Sequence, residues 1–123
     1  MVRDVVSRTL DAVESSRKVS LFKAPQPGKA QRQLIDGYHA EDFPDKDGDG
    51  GRAYFAKEKD LADLYNNGSY GAGVIEVQIS SDVYEGRLAR HESPYQGGPL
   101  NELAIPHEDF DVLNSARRIL HDK

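Results

Sequence analysis

Apolar and polar positions recur along this chain with two different periods, and the switches between them divide it into short elements. Val2, Val5, Val6, Thr9, Leu10 and Val13 fall on one face at helical spacing, which predicts an amphipathic helix over residues 2–16, closed by Ser15-Ser16. Val19-Ser20-Leu21-Phe22-Lys23-Ala24 reads as a strand, stopped by Pro25-Gln26-Pro27-Gly28. A short helix over 28–36, ended by Gly37, follows it.

A loop rich in Asp and Gly spans 38–51 and delivers the chain into a strand over 52–56. Lys57 to Tyr65 carries Leu61, Leu64 and Tyr65 at helical spacing and stops at Asn66-Asn67-Gly68. Gly73 to Ile79 alternates apolar with polar and is the strongest strand signal in the chain. Residues 82–90 are weakly helical, and HESPYQGGPL over 91–100 reads as a loop. Glu102 to Ile105 is a short strand cut off by Pro106, His107 to Asn114 a short helix, and Arg118 to Leu120 a last edge strand. This order of helices and strands is α+β.

At 123 residues without an internal repeat, the chain is expected to form one domain over 1–123 with a modest core. There is no cysteine, which excludes disulfides, thiol nucleophiles and thiolate metal sites. No stretch approaches the ~20 apolar residues of a membrane span, and a signal-peptide core is missing, so a soluble domain with no membrane partner is expected. The net charge of −5 is uneven: residues 1–35 hold seven Lys/Arg against three Asp/Glu. The acidic total disfavours non-specific nucleic-acid binding, while the basic N-terminal third suits a compact polyanion or is merely scattered surface charge.

Asp45, Asp47 and Asp49, followed by Gly50, match the opening of a calcium-binding EF-hand loop. Such a loop needs an apolar residue at its eighth position and a bidentate glutamate at its twelfth, where this chain has Arg52 and Ala56. An exposed Asp/Gly turn explains the same letters, so these aspartates are weak metal candidates and no metal is assigned.

Three pieces then line up in order. Leu21-Phe22-Lys23-Ala24 is an apolar strand with one cation, Ala53-Tyr54-Phe55-Ala56 runs into a helix, and Asn101-Glu102-Leu103-Ala104-Ile105-Pro106 is a strand led by an acid after a glycine-rich loop. Over about residues 19–115 this order resembles the ADP-ribosyltransferase toxin domains found at the C-termini of secreted bacterial toxins. The resemblance implies a compact, split and twisted antiparallel or mixed sheet with an N-terminal helix and short helices. It also implies cleavage of NAD, the substrate, at the nicotinamide–ribose bond, with ADP-ribose passing to water or to a protein or nucleic-acid acceptor. Glu102 takes the place of the catalytic carboxylate, and Lys23, beside Phe22, that of the anion contact. Tyr54 or Phe55 would form the nicotinamide wall, since alternation lets one of them face a cleft. Tyr38 and His39 would border that cleft. The family further implies delivery within a larger secreted effector, action in the cytoplasm of the producing or target cell, and a cognate immunity protein.

The chain departs from the family in having Lys where Arg or His is usual, in lacking an S-T-S motif, and in showing Asn101-Glu102 rather than E-x-E, so arginine has no support as the acceptor. Plainer readings stand beside each assignment: Glu102 as a strand-edge charge, Lys23 as a surface lysine, Tyr54 and Phe55 as core. Two other functions fit the letters. His39, His91, His107 and His121 offer an acid–base pair for a small ribonuclease toxin, and the acidic surface suits a non-enzymatic binding or immunity module. The binding module would lack a concave site around Glu102.

Overall fold

The computed structural model describes residues 17–45, 51–66, 71 and 73–121. The helix expected over 2–16, together with Asp47 and Asp49, lies outside them. In chain order the elements are β1 (Lys18–Lys23), α1 (Ala30–Ile35), β2 (Ala53–Ala56), α2 (Lys59–Tyr65), β3 (Val74–Ser80), α3 (Ser81–Val83), β4 (Glu92–Pro94), β5 (Asn101–Ile105), α4 (Phe110–Ser115) and β6 (Arg117–His121). After α3 the chain continues as a π turn over Tyr84–Leu88 and a 3-10 turn over Ala89–His91. The α+β class holds. The sheet is one open six-stranded sheet in the order β4-β5-β2-β1-β3-β6, and every described pair is antiparallel rather than mixed.

Alternation along the strands sorts the side chains into two layers. Ile75, Val77 and Ile79 of β3, Leu21 of β1, Ala53 and Phe55 of β2, and Leu103 and Ile105 of β5 share the main core with Tyr84, Leu88, Phe110 and Leu113. Each large apolar side chain buried this way is worth about 1.5–3 kcal/mol, which is why these short strands persist. The opposite face holds a smaller cluster, in which Ala56, Leu61, Ala62 and Val74 pack with Phe22, Tyr95 and Leu100. Leu61 and Ala62 bring α2 onto this face.

Loop 91–100, expected to lack regular structure, contains β4, which pairs Glu92 with Leu103 and Pro94 with Asn101. A three-residue strand has no periodicity to read, and Pro94 is tolerated because β4 lies at the sheet edge. The terminal strand expected at 118–120 forms the other edge as β6.

The pairing of β1 is lopsided. It meets β3 along its whole length, from Lys18 opposite Ser80 to Lys23 opposite Ile75. It meets β2 at a single residue pair, Phe22 with Ala56, although β2 stays paired with β5 from Ala53 to Ala56. The two strands part just before Pro25, which has no N–H to extend a ladder. The split sheet that the resemblance implied is not seen: β1 and β2 stay in one six-stranded sheet, which narrows between them to a seam of one residue pair. Gly51 secures the entry to β2: its φ is +72°, and a Cβ there would lie 2.3 Å from the Phe43 carbonyl oxygen.

Candidate functional site

A cleft of about 450 Å³ opens at this seam, within the range of about 300–1,000 Å³ usual for small-molecule sites. Phe22 and Lys23 come from β1, Tyr54 and Phe55 from β2, and Glu102 from β5. Five residues proposed from sequence therefore line one concavity. The binding-module reading, which required no such concavity around Glu102, loses its distinguishing feature.

Register explains the grouping. Phe22 stands opposite Ala56, and Ala56 opposite Glu102, so the three form one cross-strand row on the face that α2 covers. Tyr54 lies on that same face two residues earlier and is 44% exposed, while Phe55 points into the main core and is 1% exposed. Alternation sends the two rings to opposite faces, as expected. Both nonetheless line the cleft, whose lining draws on residues of both layers.

Lys23 spans the gap. Its Nζ donates to the Tyr54 carbonyl at 3.2 Å and sits 5.4 Å from the Phe43 ring centroid and 5.7 Å from that of Phe55. The side chain keeps some contact with solvent, but the protein crowds the amine enough that desolvation lowers its pKa to about 8. Among the described residues it has no carboxylate partner. The Glu102 carboxyl also has no hydrogen-bond or ion-pair partner among the described residues, and burial raises its pKa from the ordinary value. An amine and a carboxyl group, neither of them in an ion pair among the described residues, line one cleft.

Tyr38 and His39 stand apart from the cleft lining. Asn114 clamps the Tyr38 backbone, its Oδ1 accepting from the Tyr38 N–H at 2.6 Å and its Nδ2 donating to the Tyr38 carbonyl at 2.9 Å. The Tyr38 ring lies edge-on to Phe55 at 5.2 Å, so it backs the aromatic wall and does not face the cavity. Its hydroxyl and His39 Nε2 are buried without a hydrogen-bond partner among the described residues, and burial drives the Tyr38 pKa upward.

Arg52, Gln26, Tyr95 and Gln96 also line the cleft and were missed in the sequence. Arg52 Nη1 donates to the Ala104 carbonyl at 2.9 Å. Gln96 adopts φ +51°, a left-handed conformation few residues other than glycine take. The adjoining Gly97-Gly98-Pro99 was the one sequence sign of an unusual turn there.

The histidines are dispersed and none lines the cleft. His91 Nε2 meets Asp109 at 2.8 Å, His107 Nε2 the Phe43 carbonyl at 2.8 Å, and His121 Nε2 Glu76 at 2.8 Å. Among the described residues no group of three His, Asp or Glu side chains is placed to hold a metal ion. Asp45, the described member of the acidic loop, is exposed. No helix of the described residues is long and apolar enough to cross a membrane.

Comparison with protein-family models, curated proteins and solved structures gives no match, so the chemistry of the cleft itself carries the functional reading.

Proposed function

We propose that this chain cleaves NAD at the nicotinamide–ribose bond, as an ADP-ribosyltransferase-like enzyme or NAD glycohydrolase of the toxin type. The observation that supports it is the convergence of Lys23, Phe22, Tyr54, Phe55 and Glu102, from three separate strands, on one cleft. As the C–N bond breaks, its electron pair leaves with the nicotinamide and positive charge develops on the ribose, as in glycoside hydrolysis. An ionised Glu102, unpaired and partly desolvated, stabilises that charge more in the transition state than in the ground state. The Lys23 ammonium offers the pyrophosphate a cation, and the exposed Tyr54 ring offers the nicotinamide a stacking surface. Water, or an acceptor side chain or nucleotide, then takes the ribose carbon. A cognate immunity protein would act by covering this cleft.

The test is nicotinamide release from NAD by the purified chain beside its Glu102→Gln variant. Release that falls by about 10²-fold or more in the variant, with melting unchanged, is expected from the loss of one transition-state contact. No release, together with no rise in Tm on adding NAD, rejects the proposal. The ribonuclease reading gains nothing from the geometry, since His91, His107 and His121 meet three different partners and no histidine lines the cleft.

A further inference from the structure

A lysine ammonium attracts an anion by charge and fixes its orientation poorly, so a phosphate held at Lys23 needs a directional donor beside it. We propose that Gln26 is that donor, its amide N–H groups holding phosphate oxygens of the ligand, and that the buried Gln33 is the positioning residue that turns the amide this way. The inference rests on the cleft at Lys23 being the nucleotide site.

Pro25-Gln26-Pro27-Gly28 does more than stop β1. The Lys29 N–H donates to the Gln26 carbonyl at 3.0 Å across Pro27 and Gly28, whose φ is +82°. Proline second and a left-handed glycine third make this a type II turn, and Pro27 also confines the Gln26 backbone to extended conformations. The Gln26 side chain therefore stands on a stiff base just past Lys23, and the two residues line the same cleft.

Gln33, in α1, is fully buried. Its Nε2 donates to Gln26 Oε1 at 3.2 Å, while its own Oε1 is buried without a partner among the described residues. An unpaired buried oxygen costs stability, though less than an orphaned N–H, so the pair settles with Gln33 as donor. With the Gln26 oxygen engaged, the amide presents its other end, which carries two N–H donors. That end makes no hydrogen bond among the described residues. The Lys23 ammonium meets a neutral carbonyl and two aromatic rings, contacts that suit a cation and leave its charge uncompensated. Register puts Glu102 on the sheet face opposite to Lys23. The cleft thus offers a cation and an oriented amide to a group whose oxygens only accept.

The experiment titrates the full ¹⁵N-labelled chain with inorganic pyrophosphate and follows the side-chain amide resonances of Gln26, identified by their loss in Gln26→Glu. In the wild type they are expected to shift and saturate. Gln26→Glu keeps the acceptor for Gln33 but replaces the outward donors with negative charge, and is expected to weaken binding about tenfold or more. Gln31→Glu, the same charge change at an exposed site on α1, is expected to leave affinity unchanged. Gln33→Met frees the Gln26 amide to turn over and is expected to weaken binding about threefold without lowering Tm. In the Gln26→Glu background it should cost nothing further, because a carboxylate has no wrong way round. Equal factors in both backgrounds overturn the role given to Gln33. Gln26 resonances that stay still, or equal affinities for Gln26→Glu and Gln31→Glu, overturn the proposal, and the wild-type spectrum decides even where a variant unfolds. NAD is titrated in parallel. NAD that binds without moving Gln26 overturns this inference and spares the NAD reading, whereas pyrophosphate bound at Gln26 without NAD binding does the reverse.

Discussion

Lys23 and Glu102 carry opposite formal charges, yet neither is held by an ion pair among the described residues. The cost of that arrangement falls on stability and is measurable at Lys23. Its amine titrates near pH 8 in the folded chain and near 10.5 when free, so between these values the unfolded chain binds more protons. Stability therefore rises with pH across that window, and the burden of the buried charge is fully present below pH 8. Lys23→Met removes the burden. The variant is expected to melt above the wild type at pH 7, with the difference closing by pH 10. A difference that stays constant with pH would show that the amine is not desolvated. The same titration makes any anion contact at Lys23 weaken above pH 8.

Elements in this chain are short, and side chains between them do what length does not. The run from Ser81 to His91 reads as weakly helical in the sequence and forms an α, π and 3-10 succession interrupted by no strong cap. It is anchored from outside. Asp109, 1% exposed, accepts from Arg87 Nη2 at 2.8 Å and Arg90 Nη2 at 3.0 Å, and meets His91 Nε2 at 2.8 Å. Burial alone would raise the Asp109 pKa, but the hydrogen bonds from His91, Arg87 and Arg90 bring it below the usual range. This stability is complete above the unfolded carboxylate value of about 3.9 and is lost as pH falls through the lower folded value. Asp109→Asn is expected to lose about 2 kcal/mol at pH 7, less than a fully buried pair because both arginines are well exposed. Urea unfolding at pH 7 and pH 3 checks it. The gap between the two proteins should shrink at pH 3, and an equal gap at both would exclude the carboxylate as the source.

Across the whole molecule the organising feature is the seam between β1 and β2. A sheet of six strands is joined there by one residue pair, and the cleft occupies the place where further ladder bonds would lie. A ligand in the cleft bridges the two halves. NAD at 100 times its Kd is expected to slow amide exchange at Phe22–Ala24 and Ala53–Ala56 by up to about 10², with little change at β6 on the far edge. Uniform protection, or none at these strands, would place NAD elsewhere.

The sequence by itself determined the α+β class, the strand at Val74–Ser80, and most element positions, because those depend on local periodicity and on Pro and Gly stops. It also brought forward Lys23, Tyr54, Phe55 and Glu102, through an order of three strand segments that resembles a known family. It had no means of reading β4, whose three residues are a strand only by pairing with β5, or of excluding Tyr38, which long-range contact with Asn114 and Phe55 turns away from the cleft. Alternation placed Tyr54 and Phe55 on opposite faces, yet both reach the cleft, since a gap in a sheet exposes both faces at once. That gap is set by which strands pair and where they part. Pairing depends on residues as far apart as Phe22 and Ala56, and only the tertiary structure decides it.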